Sequence, residues 1–225
     1  MQYTKNIRMM EETKIKSITY ISILIVFGYL INNLSHISAQ LGDYETLLWL
    51  ITFLLFTFSF SGIRQIITPL INIKFIKRPS SYFYILITLT IPYLLLLLCV
   101  HYEILLDETF IFYYKHGLLK GVSIGGIVDA AFLAPIWEEV FFRGVLLFFL
   151  LKFTKPVWAI SLSSVLFALF HPMYWIITLV SGVLLSITTY KTRSLIPSVI
   201  SHSLWNLYMA KLFLYFSLTY EGTPI

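Results

Sequence analysis

The sequence predicts an all-α protein, a polytopic bundle of transmembrane helices with about seven spans and a cytoplasmic N-terminus. Three observations predict it. First, the 225 residues are 58% hydrophobic and 12% charged, with a mean hydropathy of +0.83, whereas a soluble domain is about half apolar and a quarter charged. Second, seven apolar segments can be marked, at 18–36, 46–63, 82–100, 121–151, 156–171, 173–190 and 195–216, most of them near the length a helix needs to cross a bilayer. Third, the charge between these segments alternates in the way the positive-inside rule requires. The alternating strands of a membrane β-barrel are absent.

The same composition excludes a water-soluble single domain, a disordered chain, a nucleic-acid binder and a disulfide scaffold. There is one cysteine, Cys99, inside an apolar run, so no intramolecular bridge can form. The formal charge of +5 reports orientation in a membrane protein rather than affinity for nucleic acid.

Residues 1–16 form a basic cytoplasmic tail, with Lys5, Arg8, Lys14 and Lys16 against Glu11 and Glu12. The first apolar segment resembles a signal peptide followed by Ser38-Ala39, but Ile37 is bulky where cleavage wants a small residue, so a signal anchor fits better. The first loop holds Asp43 and Glu45, and the second holds Arg64, Lys74, Lys77 and Arg78 with no acid. The third mixes Glu103, Asp107 and Glu108 with Lys115 and Lys120. The fourth has Lys152 and Lys155, the fifth has no Lys or Arg, and the sixth has Lys191 and Arg193. Seven spans with the N-terminus inside and the C-terminus outside satisfy every loop.

The chain divides into the tail, a scaffold of three spans plus an outer loop at 17–120, a chemical half of four spans at 121–216, and a C-terminal tail at 217–225. The outer loop, Tyr102 to Lys120, is rich in apolar and aromatic residues and reads as a stretch lying on the membrane interface. The segment 121–151 is too long for one ideal span, and Pro135 within it predicts a break or kink. Gly121, Gly125, Gly126, Gly144 and Gly182 read as close-packing positions.

In a bilayer the informative residues are the polar ones. Ionisable groups inside spans are rare and functional or paired. Asp129, Glu138, Glu139, Arg143, His171 and His202, with the amide of Asn206, all lie after residue 120. Glu139 and Arg143 stand at i, i+4 on one helix face and predict an intrahelical ion pair. Glu138 is about 100° round the helix and has no such partner. A buried carboxylate in that position either holds a proton or finds a partner on another helix. His202 and Asn206 again share a face at i, i+4. At about 1.5 Å per residue, Glu138 lies about 21 Å from the Lys152 end, His171 about 24 Å from Lys155, Asn206 about 20 Å from Arg193 and His202 about 14 Å. The four groups can therefore share one cavity if the helices tilt. Asp129 reads as a supporting group or as a residue that caps or pairs. By residue type alone, the set is a hydrolytic or an ion-handling site.

Glu138-Glu139-x-x-x-Arg143, Phe167-x-x-x-His171 and His202-x-x-x-Asn206, with Phe142-Arg143-Gly144 after the paired glutamates, resemble the three ordered motifs of the CPBP family. These are the CaaX proteases and bacteriocin-processing enzymes, also known as Abi proteins. The resemblance spans about residues 121–210. It implies an all-helical intramembrane endopeptidase in which Glu138 and His171 activate a water while His202 and Asn206 stabilise the oxyanion, with Glu139 and Arg143 in support. No cofactor is then expected. The rival is zinc, held by Glu138, His171 and His202, but no HExxH helix is present and Asn206 is a poor zinc ligand.

The resemblance implies a membrane-associated peptide or lipid-anchored protein as substrate, whether a prenylated CaaX protein, a bacteriocin or a signal peptide. It also implies a multi-pass location in the cell membrane. The Ile-, Lys-, Phe- and Tyr-rich composition suggests a bacterial plasma membrane. Two other classes compete. One is a non-catalytic self-immunity or scaffold protein that kept the fold. The other is an ion-coupled transporter, which would show paired repeats with matching broken helices; the sequence has no fixed-period repeat.

Overall fold

The computed structural model describes residues 44–116 and 124–209, with a few positions between 19 and 29. The basic tail, most of the first apolar segment, the acidic Asp43, Gly121, and everything from residue 210 onward lie outside the described residues. All regular structure among the described residues is helical. The chain divides into two compact units, Met1–Arg64 and Gln65–Ile225.

In the first unit, α1 (Glu45–Ser59) buries Leu50, Phe53 and Thr57. The Tyr20 hydroxyl bonds Thr57 Oγ1 at 2.6 Å, and its ring stacks on Phe56 with centroids 5.4 Å apart. α1 stops at Phe60, whose backbone is extended (ψ 111°). The apolar segment 46–63 is therefore not one continuous helix. The Ser59 hydroxyl bonds back to the Leu55 carbonyl at 2.6 Å, a local alternative to the helical ladder. α2 (Ser61–Ile67) follows.

The second unit is built on α3 (Pro79–Tyr102), which starts with a proline in its first turn and ends at Glu103 in the left-handed conformation. The expected outer loop contains a short helix, α4 (Glu108–Lys115), capped by the Asp107 carboxylate, which accepts from the N–H groups of Thr109 and Phe110. Its Phe110 and Ile111 are buried while Phe112 and Tyr113 are exposed. Lys115 pairs with Glu103 and holds that carboxyl below the usual carboxylate range. This exposed tether is present at neutral pH and is lost as pH falls through the depressed value.

A long helical run then extends from α5 (Ile124–Val128) through α6 (Ala134–Glu139) to α7 (Leu147–Leu150), with π-helical turns at Asp129–Leu133 and Val140–Leu146. α8 (Pro156–Leu169), a 3₁₀ turn at Pro172–Tyr174, α9 (Trp175–Thr192) and α10 (Ile196–Met209) complete the unit. Among the described residues, Pro79–Tyr102 and Pro172–Thr192 are long and apolar enough to cross a membrane. A third span results if α1 and Ser61–Lys77 are taken together as one broken span, and Pro156–Leu169 is apolar but shorter. The other apolar segments of the sequence are interrupted or run beyond the described residues, so two or three spans meet the length test directly.

α9 is the central element, packed most extensively on α8, then on α3, and also on α10; α10 in turn packs on α3 and on the first π turn. One apolar core joins Leu96, Cys99 and Val100 of α3 to Phe110, Ile177 and Trp205. Many hydroxyls are buried among the helices as well. Ser163, Ser164, Ser181, Ser186, Thr188, Thr189 and Ser198 are all buried. Thr88 bonds Thr188 at 3.1 Å, and Thr189 donates to Ser198 at 2.9 Å. Lipid tails are as apolar as leucine, so helices in a bilayer associate through such small, hydrogen-bonding contacts.

At Gly182, α9 approaches α8 closely. A Cβ there would sit 3.1 Å from Ser164 Cβ, 3.2 Å from Ser164 Cα and 3.3 Å from Phe167 Cδ1. Two of those atoms move only with the helix backbone. Gly182→Ala should therefore lower stability by about 1–3 kcal/mol, despite a helix-propensity gain of about 1 kcal/mol. The thermal midpoint of the detergent-solubilised protein measures it. An unchanged or higher midpoint would show that the helices separate freely.

Candidate active site

The site is built on the run Ile124–Leu150. Pro135 lacks the N–H that would continue the ladder and crowds the preceding turn. The helix absorbs this as a π turn at Asp129–Leu133, with Ala134 N–H reaching back to the Asp129 carbonyl. The break expected at Pro135 thus takes the form of a widened turn within a continuing helix. A second π turn follows the paired glutamates, with Leu147 N–H bonded to the Phe142 carbonyl. That carbonyl also accepts the Ser163 hydroxyl of α8 at 2.9 Å. Single π turns of this kind occur frequently at functional sites.

Glu139 and Arg143 form the ion pair expected from their spacing, 2.9 Å apart and both 0% exposed. Glu139 does more than the spacing indicates. Its Oε1 also accepts from His202 Nδ1 at 2.9 Å, so it ties α10 to α6. The Arg143 guanidinium lies over the Phe167 ring, 4.2 Å from the centroid, a cation–π contact. The same ring meets His202 edge-on with centroids 5.6 Å apart and His171 at 5.0 Å. Phe167, named in the sequence only as a motif letter, is the platform on which the arginine and both histidines are arranged.

Glu138 points elsewhere, as its offset round the helix predicts. Its Oε2 lies 3.8 Å from His202 Nε2, with the side chain 13% exposed. That oxygen is buried and has no hydrogen-bond partner among the described residues. His202 therefore stands between the two carboxylates. A carboxylate only accepts, so His202 Nδ1 carries its proton toward Glu139, and Nε2 is the atom that faces Glu138.

His171 closes α8. Its Nδ1 is 3.1 Å from the Phe167 carbonyl. A carbonyl only accepts, so this bond fixes the proton on Nδ1 and leaves Nε2 as the free nitrogen of the neutral ring. The Asn206 amide donates to the Ala130 carbonyl of the first π turn at 2.7 Å. One of its N–H groups is thereby used for positioning, and the second remains. Asp129 is half-buried, beside the residue that holds Asn206.

His171, His202 and Asn206 line one cavity of about 20 Å³, together with Phe167, Tyr174 and Ser201, room for about one water molecule. Glu138 does not line it and borders it through His202. Among the described residues, no group of three or more His, Cys, Asp or Glu side chains is arranged as a metal site.

Sequence reasoning missed Tyr174, Thr178, Ser181 and Ser201, which line this cavity. Their hydroxyls are indistinguishable in a sequence from ordinary interhelical packing. Tyr174, three residues after His171 on the 3₁₀ turn, is the one whose place next to a motif residue gave a signal.

No curated protein and no solved structure matches the chain. Residues 120–208 match the family model described as Type II CAAX prenyl endopeptidase Rce1-like. The match takes in all three motifs and the ion pair, and over those residues the chain is similar to the Rce1-like endopeptidases.

Proposed function

We propose that the protein is an intramembrane endopeptidase that hydrolyses a peptide bond in a membrane-associated or lipid-anchored substrate, using a water activated by Glu138 and His171. One observation supports this above the others. A buried carboxylate oxygen of Glu138 is left without a hydrogen bond, 3.8 Å from a histidine that itself borders a water-sized cavity. Glu139 Oε1, by contrast, is held by both Arg143 and His202, whereas no hydrogen bond compensates the burial of Glu138 Oε2, and an unpartnered buried charge is heavily penalised.

In this reading Glu138 removes the proton of a water seated at the edge of the cavity, beside His202 and within reach of Glu138, and His171 Nε2 orients that water. The hydroxide adds to the scissile carbonyl. The oxyanion is met by the remaining Asn206 N–H and by His202 Nε2, which donates only as the imidazolium because Nδ1–H is held by Glu139. The leaving amine takes the proton from Glu138. Arg143 offsets the charge of Glu139, so Glu139 serves as the anchor of His202 rather than as a base. No step here requires a cofactor. The location inferred with this activity is the plasma membrane of a bacterium, crossed several times with the N-terminus inside.

The test compares membrane peptides from cells carrying wild type and Glu138→Gln by mass spectrometry. Loss of defined cleavage products in the variant is expected, with a prenylated, bacteriocin or signal-peptide substrate identified by the products. Identical profiles across growth conditions, with both proteins present in the membrane, would favour a non-catalytic immunity or scaffold protein.

A further inference from the structure

At the end of the second unit away from the His171 turn, three connecting segments meet. They hold Lys74, Lys77 and Arg78, then Lys152 and Lys155, then Lys191 and Arg193, and none contains Asp or Glu. The fold joins the first and last directly: Leu195 N–H bonds the Leu70 carbonyl at 2.9 Å, and the Asn72 amide donates to the Arg193 carbonyl at 2.9 Å. Between them opens a cleft of about 560 Å³ lined by Leu70, Phe148, Leu151, Lys152, Tyr190 and Arg193 among others. It is far larger than the motif cavity and within the range of small-molecule sites.

One cation in this cleft, Arg193, is held in place. Arg193 occupies the left-handed region (φ 54°) at the end of α9, a conformation that costs an arginine more than a glycine. Its guanidinium lies over two rings, 4.9 Å from the Tyr190 centroid and 5.7 Å from that of Phe148. Neither Arg193 nor Lys152 has an acidic partner among the described residues. The wall below them is apolar, from Leu70, Leu151 and Phe148. A soluble anion would use the cations alone. An amphiphile with an anionic head and an acyl chain uses both parts, and basic pockets between membrane helices are suited to such headgroups.

We propose that this cleft seats an anionic phospholipid, with its phosphate between Lys152 and Arg193 and its chain along Leu70 and Leu151. The site is separate from the proposed hydrolytic centre and stands or falls independently of it.

The full-length protein in neutral detergent is titrated with phosphatidylglycerol, with phosphatidylcholine of the same chains, and with inorganic phosphate, and retained ligand is read by native mass spectrometry. Phosphatidylglycerol should bind at least about ten-fold more tightly than phosphatidylcholine. Lys152→Gln with Arg193→Gln should weaken it about 25-fold, at about five-fold per cation. Lys115→Gln, on the acidic-and-basic outer loop, should leave it unchanged. If the double variant does not fold, Lys152→Gln alone, on an exposed turn, should still show the five-fold loss. Equal retention of the two lipids, an unchanged Kd in the variants, or inorganic phosphate binding as tightly as phosphatidylglycerol would overturn the proposal, the last by assigning the cleft to a soluble anion.

Discussion

Glu138→Gln should leave the protein folded in the membrane and reduce peptide hydrolysis about 100- to 10,000-fold, the range of a positioned general base. The amide has nearly the same shape but cannot take the proton from water. Glu138 Oε2 makes no hydrogen bond that the substitution would break, so abundance should hold. His171→Ala should be comparably severe, because His171 Nε2 is the other atom proposed to hold the water. Asn206→Ala should be milder, near the loss of one oxyanion donor, about 100- to 1,000-fold. It also leaves the Ala130 carbonyl without its partner, so part of its effect belongs to stability. Combining Glu138→Gln with His171→Ala should add little, since the two act on one water and the first loss removes most of the rate. The measurement is turnover of a membrane-anchored peptide by purified protein in vesicles, with and without a chelator. Chelation should change little. Activity that a chelator abolishes and zinc restores would turn Glu138, His171 and His202 into ligands and make Glu139 the first candidate for the base.

Arg143→Ala should lower stability by about 3–5 kcal/mol, the cost of stranding one half of a buried pair. Both members are fully buried, so no solvent screening softens the loss. The damage extends beyond the pair. Phe167 loses the cation over its face, and Glu139 keeps only His202 as a partner on Oε1. Arg143→Lys should recover only part, because an ammonium cannot lie flat on the ring while reaching the carboxylate. Glu139→Gln with Arg143→Met should be less destabilising than Arg143→Ala, since no buried charge is left alone. Membrane abundance and thermal midpoint together decide it. Normal abundance with lost hydrolysis would instead place Arg143 in the chemistry.

How far these features were legible in the sequence depends on how local they are. The apolar segment 82–100 became α3 with few changes, since hydropathy alone defines a long uninterrupted helix. The segment 46–63 did not, because the break at Phe60 involves backbone and a serine hydroxyl and leaves hydropathy unchanged. Pro135 announced a disturbance, but a π turn adds one residue to a helix without altering its composition. At the site, Glu139 and Arg143 were legible because both ends of the pair lie on one helix. The bond from His202 to Glu139 was not, because 63 positions separate them and only the packing of α10 on the run brings them together. The cavity stayed hidden for a related reason: its wall is made of side chains that also serve ordinary helix contact.

The hydroxyl-lined contact between α3, α8, α9 and α10 constrains how this sequence can drift. Many of its Ser and Thr side chains, Thr88 and Thr188 among them, are buried, where the spacing of the helices is set by their volume. In a bilayer an alanine there forfeits at most a weak hydrogen bond, and none at Ser181 or Ser186, whose hydroxyls have no partner among the described residues, whereas a leucine forces two helices apart. Ancestry should therefore be recorded at these positions as exchange among Gly, Ala, Ser and Thr, with size conserved while polarity wanders. At Glu139, Arg143 and His202 the opposite holds, since Arg143 and His202 are both bonded to the Glu139 carboxylate. Lineages separated long enough to lose overall similarity would still share two kinds of invariance, one of volume and one of charge.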